Sequence, residues 1–159
     1  MGEQGVTVRR AEARDMAFVV ELWKSMSEEL ARCDERYALR PDAEIMWARW
    51  AGQRLRDADS CLLVAESGGE YIGYLLAHAD EAQPIFAQRR HATITDLYVA
   101  PQHRRKGIAR RLAEGAIEFF KKRGIQHARM NVLAKNAAAR AFAEKMGFVD
   151  FLFRMWKTL

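Results

Sequence analysis

The stretch DLYVAPQHRRKGIARRL, residues 96–112, joins a short β-type run to a helical pattern through a turn crowded with positive charge. The β-type run covers residues 97–99, and the helical pattern begins directly after Gly107. Three cationic residues precede that glycine: Arg104, Arg105 and Lys106. Because like charges repel at short range, this arrangement is costly unless an anion binds among them.

The turn before the helix has the features of an anion-binding cradle. The first backbone N–H groups of a helix have no intrahelical partners, and they lie at the positive end of the helix dipole. A tight turn with glycine lets several of these groups converge on one anion. The small residues Gly107 and Ala109 leave room for a bulky phosphate. The sequence therefore favours a pyrophosphate site, with an ordinary solvated basic turn as the alternative.

The whole chain has the composition of one globular domain. Its 159 residues are 50% hydrophobic and 30% charged, which is ordinary for a globular protein and enough to bury a core. No uninterrupted apolar run reaches the length of about 18 residues that a membrane-spanning helix needs. The start, MGEQGVTVRR, has no apolar signal core. We therefore expect a single cytoplasmic domain over residues 1–159 with no membrane partner.

The charge and the cysteines narrow the choice of ligand. A formal net charge of +5 suits an anionic ligand, and it would also suit RNA. However, the densest basic cluster lies on one turn rather than over a broad surface with exposed aromatic residues, so a nucleic-acid-binding domain is disfavoured. Cys33 and Cys61 lie in apolar surroundings, which indicates reduced core residues rather than metal ligands. We expect neither a nucleic acid partner nor a metal.

Hydrophobic patterns predict strands and helices in alternation. Strands are predicted at residues 6–11, 60–67, 70–80, 93–99, 128–134 and 148–159. Helices are predicted from a cap at Asp15 to Cys33, from near Pro41 to Arg56, from Gly107 to Gly124 and from a cap at Asn136 to Gly147. The pair Gly68-Gly69 indicates a hairpin between the second and third strands. This alternation implies an α/β sandwich, with helices on both faces of a central sheet.

The basic turn lacks the Lys-Ser or Lys-Thr pair of a nucleotide P-loop and the three glycines of a dinucleotide fingerprint. Residues 104–109, RRKGIA, instead resemble the acetyl-CoA motif of the GNAT superfamily of N-acetyltransferases, which reads Gln/Arg-x-x-Gly-x-Gly/Ala. Two further stretches are similar to that family and stand in its order, VRRAEARDMAFVVEL and NVLAKNAAARAFAEKMGF. The resemblance covers most of the chain and is weakest over residues 31–56 and 80–92.

The resemblance implies a mixed, mostly antiparallel sheet of six to seven strands, with a V-shaped splay between the fourth and fifth strands. It also implies acetyl-CoA as co-substrate. The free backbone of the splayed strand would bond the pantetheine arm through Leu97, Tyr98 and Val99. The motif would hold the pyrophosphate through Arg104, Arg105, Lys106, Gly107, Ile108 and Ala109. The following helix would contact the cofactor through Asn136, Ala139 and Phe142.

The resemblance further implies acetyl transfer to a primary amine of a small molecule or a peptide, by direct attack in a ternary complex. Many family members protonate the leaving thiolate with a tyrosine at the position where this chain has Ala143. Solvent or Tyr98 would then have to serve as the acid. Asp96 is a candidate general base acting through water, and the rival interpretation makes it a structural acceptor for N–H groups. His78 and Asn131 are weaker candidates.

The acceptor site and the reaction itself leave alternatives open. Trp47 and Trp50, in the weakly similar stretch 31–56, would either form an aromatic wall for a cationic amine or belong to the core. The missing tyrosine makes a non-enzymatic acyl-CoA-binding sensor on the same fold the second hypothesis. A homodimer is compatible with either function.

Overall fold

The computed structural model describes residues 5–159. Its five strands form one sheet in the order in which they follow along the chain: β1 Thr7–Arg10, β2 Ser60–Ser67, β3 Glu70–Glu81, β4 Arg90–Val99 and β5 Ala128–Met130. Its four α-helices are α1 Met16–Cys33, α2 Ala43–Arg56, α3 Ile108–Lys121 and α4 Ala137–Lys145. None of the helices in this described part is long and apolar enough to span a membrane.

The first four strands form an antiparallel meander. The predicted hairpin between β2 and β3 is confirmed, and it turns at Gly68 and Gly69 with φ angles of 58° and 83°. Two consecutive positive φ angles define the hairpin turn whose twist matches that of the strands, and glycine adopts them without strain.

The last strand pairs with β4 in parallel and only over a short distance. Three residue pairs join the two strands, and the last of them is Ile94 with Met130. Residues 95–99 of β4 continue beside β3, but among the described residues they have no strand partner on the other side. The sheet therefore opens after Ile94, and the prediction of a mixed, mostly antiparallel sheet is confirmed.

Helices cover both faces of the sheet, as the sequence predicted. On one face, α3 packs its apolar side against β2, β3 and β4 through a set of fully buried residues: Ile108, Leu112, Ala113, Ala116 and Phe120. On the other face, α1 and α2 cover a second core, whose members include Val19, Leu22, Trp23, Ala51, Leu62, Tyr74 and Leu76. Burial of these two apolar faces supplies the main stabilising free energy of the fold.

Two expectations about strands are wrong. The sheet has five strands rather than six to seven, because residues 148–159 form no strand in the part of the chain described, and β5 ends at Met130 instead of residue 134. The last segment has a β-type composition. A composition of this kind favours a strand only where a neighbouring strand is present to pair with it.

Asp15 lies at the predicted start of α1, but its side chain does not cap that helix. The carboxylate is fully buried and accepts hydrogen bonds from Arg9 at 2.7 and 3.0 Å, from the Tyr71 hydroxyl at 2.6 Å and from the Glu12 N–H at 2.7 Å. The Arg9 guanidinium holds the pKa of this carboxyl well below its usual range, although burial acts in the opposite direction. Asp15 thus joins β1, β3 and the turn before α1.

Replacing Asp15 with Asn should lower the free energy of unfolding at pH 7 by about 3 kcal/mol, because it removes one partner of a buried ion pair. The lowered pKa in the folded state means that this stabilisation is present above the ordinary pKa near 3.8 and is lost as the pH falls below it. Urea unfolding at pH 7 and pH 3 should therefore show a difference between the two proteins that shrinks at the lower pH. Asp42→Asn, which removes an exposed pair with Arg40, is the control.

Candidate functional site

The turn between β4 and α3 has an unusual backbone. Gly107 precedes the first residue of α3 with φ at 77°, and Arg105 has φ at 65°, the one positive value at a non-glycine residue among residues 5–159. A left-handed residue followed by a helical one turns successive N–H groups towards the same side. A side chain added at Gly107 would project into open space, with no atom within 4 Å of its Cβ. The backbone at Gly107 is therefore open to a ligand.

The N–H groups of this turn are not used inside the described chain. After the bond from Arg104 to Pro101, the next backbone N–H that donates to a carbonyl is that of Arg111, which bonds the Gly107 oxygen at 3.1 Å. The side chains of Arg105 and Lys106 are exposed, whereas that of Ile108 is buried in the α3 core. Ile108 can thus offer only its N–H to a ligand.

Arg104 differs from its two cationic neighbours because its guanidinium is held by contacts within the chain. Its Nε donates to the Val99 carbonyl at 2.8 Å, and its Nη2 donates to both carboxylate oxygens of Glu29 on α1 at 2.8 and 2.9 Å. The guanidinium also lies 5.4 Å from the centre of the Tyr98 ring. Of the three cations before Gly107, Arg105 and Lys106 therefore have exposed side chains, whereas Arg104 is held against α1.

The strand β4 contains a bulge that the sequence reasoning missed. Leu76 pairs with Asp96 and the next residue, Ala77, pairs with Ile94, so Thr95 is an extra residue on β4. The Thr95 hydroxyl donates to the Leu76 carbonyl at 2.9 Å, which satisfies a backbone group at the bulge. A signal was present, because the aliphatic residues of this run stand at positions 92, 94, 97 and 99, which breaks strict alternation.

The bulge decides which side chains face which layer. Leu97 and Val99 join Ile94 on the α3 side of the sheet. Tyr98 instead lies in the core under α1 and α2. Asp96 lies on this second side too, near the Tyr74 hydroxyl and Trp47. The backbone of residues 97–99 lies at the opening, and the acidic residue of the strand points to the face opposite α3.

Asp96 is a carboxyl group in an apolar environment. Burial raises its pKa to about 6, and hydrogen bonding with Tyr74 and Trp47 only partly opposes that effect. Its Oδ2 is buried and has no hydrogen-bond partner among the described residues. A carboxyl group with a pKa close to neutral is well suited to exchange protons.

Tyr98 is held through its hydroxyl, which donates to Glu29 Oε1 at 3.0 Å. Burial raises the pKa of this hydroxyl above its ordinary value, and the neighbouring Glu29 carboxylate adds to the rise. Glu29 therefore binds both Tyr98 and Arg104. No motif in the sequence reveals this contact of Glu29 with Tyr98 and Arg104.

The helix α4 begins on the far side of the opening, after β5. The Asn136 side chain accepts a hydrogen bond from the Ala139 N–H at 3.0 Å, so the predicted cap is confirmed. Ala139 and Phe142 are half-buried, and Phe142 packs at the margin of the α3 core. Ala143 is only 7% exposed, so there is little free space around its methyl group.

The weaker candidate residues stand at other positions of the sheet or belong to the core. His78 is on β3, two residues after Leu76, which pairs with Asp96. The His78 Nε2 lies 3.1 Å from Asp80. Asn131 is exposed beyond the end of β5. Trp47 stacks on Trp23 with ring centres 4.9 Å apart, which favours the interpretation of Trp47 as a core residue.

The C-terminal part of α1 contacts both sides of the opening. On the β4 side, Glu29 binds Arg104 and Tyr98 as described. On the other side, Asp34 directly after α1 lies 3.4 Å from Lys135, which precedes the α4 cap. The buried Asp34 carboxylate also accepts hydrogen bonds from Arg36, which lower its pKa well below the usual range. One helix end thus joins the two elements that border the opening.

Comparison with known proteins finds one matching family and several similar proteins. The family described as Acetyltransferase (GNAT) family matches residues 22–148. The uncharacterized N-acetyltransferase YhfO of Bacillus subtilis is 25% identical over 149 residues, which is 91% of each chain. An uncharacterized N-acetyltransferase of Methanocaldococcus jannaschii is 34% identical over 106 residues, which is 65% of this chain. The match spans only 46% of that archaeal relative.

Solved structures share the fold. The BH1408 protein of Bacillus halodurans, solved as a tetramutant, superposes with a TM-score of 0.85 at 21% identity, over 96% of this chain and 99% of that one. A predicted acetyltransferase from Clostridium acetobutylicum, solved with acetyl-CoA, has a TM-score of 0.78 at 21% identity, over 98% and 96% of the two chains.

Replacing Glu29 with Gln should weaken the binding of coenzyme A several-fold, because the released Arg104 no longer holds the Val99 carbonyl and the turn against α1. Isothermal titration calorimetry measures this effect. Glu28→Gln is a matched control, since Glu28 is the preceding residue of α1 and is exposed. Equal affinities of the two variants would contradict a role of Glu29 in positioning the turn.

Proposed function

The chain belongs to the GNAT family of acetyltransferases, and on that basis we propose that it transfers the acetyl group of acetyl-CoA to a primary amine by direct attack in a ternary complex. The acceptor is an amine of a small molecule or of a peptide. The observation that carries the proposal is the turn of Arg105 and Gly107, whose free N–H groups surround an open space at the start of α3. Such a turn fits a pyrophosphate and has no evident structural purpose.

The proposed binding of the cofactor uses three parts of the site. The N–H groups of residues 105–109 hold the pyrophosphate, and the exposed side chains of Arg105 and Lys106 add positive charge. The backbone groups of residues 97–99 on the open side, other than the Val99 carbonyl that Arg104 holds, bond the pantetheine arm in the manner of an added strand. Across the opening, α4 lines the other side of the arm with Asn136, Ala139 and Phe142. Arg104 has a positioning role, because its guanidinium is paired with Glu29.

The cofactor supplies an already activated thioester, so the main tasks of the protein are to position the amine and to move protons. Positioning alone can provide much of the rate. We assign proton removal from the amine to Asp96, acting through water from its free Oδ2. A pKa of about 6 leaves this carboxyl mostly ionised at neutral pH, yet basic enough to accept a proton. Its burial against apolar residues supports this role over that of a simple structural acceptor.

The proton for the departing thiolate comes from solvent in this proposal. Ala143 has no group to donate, and the Tyr98 hydroxyl already donates to Glu29 on the opposite side of the sheet from α3. Tyr98 as the acid is the alternative, and Tyr98→Phe tests it. A large loss of turnover with unchanged binding of coenzyme A would assign the proton to Tyr98.

The competing function is a sensor that binds an acyl-CoA and transfers nothing. The two functions share the cradle and differ only in the presence of an acceptor. The release of free thiol from acetyl-CoA, measured over a panel of primary amines, separates them. Thiol release that depends on an added amine supports the enzyme, whereas tight binding without release over the whole panel supports the sensor.

Gly107→Glu should abolish the binding of coenzyme A, because it places bulk and negative charge where the pyrophosphate would lie. The fold should survive, since the new side chain meets no atom, and the strain of a left-handed residue costs only about 1–2 kcal/mol. Binding is measured by calorimetry and folding by the melting temperature. Gly124→Glu carries the same strain and charge at the other end of α3, where φ is 74°, and should bind normally. Normal binding by Gly107→Glu would contradict the assignment of the turn.

Asp96→Asn should lower kcat/KM by about a hundredfold or more, the usual contribution of a positioned base. In the unsubstituted protein, activity should rise as the pH increases through about 6, because the base works only when it is ionised. The variant should lose this rise. The profile is measured with the amine that responds best in the panel.

Asp80→Asn is the control for the Asp96 profile. Burial acts to raise the pKa of Asp80, but Thr93, His78 and Arg129 together hold it below its ordinary value. Asp80 therefore stays ionised across the range, and its replacement should leave the rise near pH 6 in place. If the rise disappears with Asp80→Asn and persists with Asp96→Asn, the base is not Asp96.

A further inference from the structure

A cavity of about 640 Å³ lies on the side of the sheet opposite α3, outside the site described above. Its walls are residues 18–25 of α1, the hairpin at residues 68–71 and the connection of residues 100–102, which leads from β4 towards the turn before α3. Sites for small molecules typically measure about 300–1,000 Å³. This space, called the α1 cavity below, is therefore large enough for a small ligand.

The charges at the α1 cavity have one sign. Two of the residues that line it are acidic, Glu21 and Glu70, and among the described residues no Lys, Arg or His side chain lines it. The chain as a whole carries a formal net charge of +5, so this negative region stands out against the rest of the molecule. Clefts with charges of one sign concentrate ligands of the opposite sign. The α1 cavity therefore favours a cationic ligand.

Both carboxylates have only long contacts with cations that lie outside the cavity. Glu21 Oε1 is 3.6 Å from the Lys24 ammonium, which is closer to Glu44 on α2, at 3.2 Å. Glu70 Oε2 is 3.6 Å from Nε2 of His103. Hydrogen bonds between oppositely charged groups are usually about 2.7–2.9 Å long. Each carboxylate can therefore approach a further cation more closely than its present partner.

An exposed aromatic face accompanies these carboxylates. The rings of Phe18 and Tyr71, which both line the cavity, stack with their centres 4.3 Å apart and their planes 8° apart. The contact covers one face of the Phe18 ring, and half of this side chain stays exposed. Aromatic faces attract organic cations, including quaternary ammonium groups. No group of side chains suited to a metal ion occurs in the described part of the chain, so the combination favours an organic cation.

The α1 cavity is separate from the surroundings of Asp96. Residues 18, 21, 22 and 25 of α1 line the cavity. Trp23 lies on another side of the helix, because successive helical residues are rotated by about 100°. Its ring stacks on Trp47, which lies next to Asp96. The cavity and the candidate base thus belong to different sides of α1.

We propose that the α1 cavity binds a small organic cation, whose positive charge is held by Glu21, Glu70 and the face of the Phe18 ring. The proposal assigns no reaction to the cavity and does not rest on the proposed function. A cation without an N–H bond cannot accept an acetyl group, so such a molecule tests the cavity whether or not the protein transfers acetyl groups.

The probe for the first test is hexamethonium, a linear dication with two quaternary ammonium groups and no N–H bond. Its titration into isotope-labelled protein, followed by nuclear magnetic resonance, should shift the backbone amide signals of residues 18–25 and 68–71. Adipate, a dianion with a chain of similar length, is the control and should leave these signals in place. Absence of a shift in these residues with hexamethonium would overturn the proposal.

The second test changes the groups that hold the cation. Glu21→Gln with Glu70→Gln should raise the dissociation constant of hexamethonium about tenfold, because two exposed ion pairs are lost. Phe18→Leu keeps an apolar side chain without an aromatic face and should raise it about threefold. Glu28→Gln with Glu118→Gln removes the same charge from exposed residues outside the cavity and should leave it unchanged. The melting temperature of each variant measures whether it is folded.

Three further results would contradict the proposal. Signal shifts confined to the surroundings of Asp96 and Trp47 would place the cation in the acceptor site. Loss of hexamethonium binding at saturating coenzyme A would make the cavity a part of the cofactor site. If the folded variant Glu21→Gln with Glu70→Gln binds hexamethonium as tightly as the unsubstituted protein, the carboxylates do not hold the cation.

Discussion

The constraint on which the site depends is the early end of the pairing between β4 and β5. Only three residue pairs hold the two strands together, and after Ile94 the backbone of β4 continues with a partner on one side only. An unpaired strand edge inside a protein is costly unless something bonds to it. The same separation places the start of α3 and the cap of α4 on opposite sides of one opening. The geometry that leaves hydrogen-bonding groups free therefore also creates the space for a ligand to use them.

The opening must be held apart, and α1 does this with charged side chains rather than with apolar packing. Glu29 holds Arg104 and Tyr98 on one side, while Asp34 contacts Lys135 on the other. Ion pairs that are partly exposed contribute little free energy, but a bidentate contact fixes direction as well as distance. The side of the sheet opposite α3 is thereby linked through Glu29 to the turn before α3.

Most elements of the fold were predictable because they depend on local rules. The Gly68-Gly69 hairpin, the amphipathic α3 and the Asn136 cap each follow from a few neighbouring residues, and the structure confirms them. The errors have a non-local cause. Asp15 was assigned to a helix cap because nothing near it in sequence reveals Arg9 and Tyr71 as partners. Residues 148–159 have the composition of a strand, but a strand also needs a neighbour, and composition cannot supply one. The pairing of Arg104 with Glu29, 75 residues away, was beyond prediction for the same reason.

The extra residue Thr95 changes which positions of β4 face each of the two layers of helices. Upstream of it, the even-numbered positions face α3, and downstream the odd-numbered positions do. If Thr95 were paired in regular register instead of forming the bulge, every later side chain of the strand would turn to the other layer. Asp96 would then point towards α3, and the hydrophobic residues Leu97 and Val99 would face α1 and α2. In evolutionary terms, deletion of Thr95 would leave every later side chain on its present face, so as long as the extra residue is present it is the bulged pairing that has to be preserved.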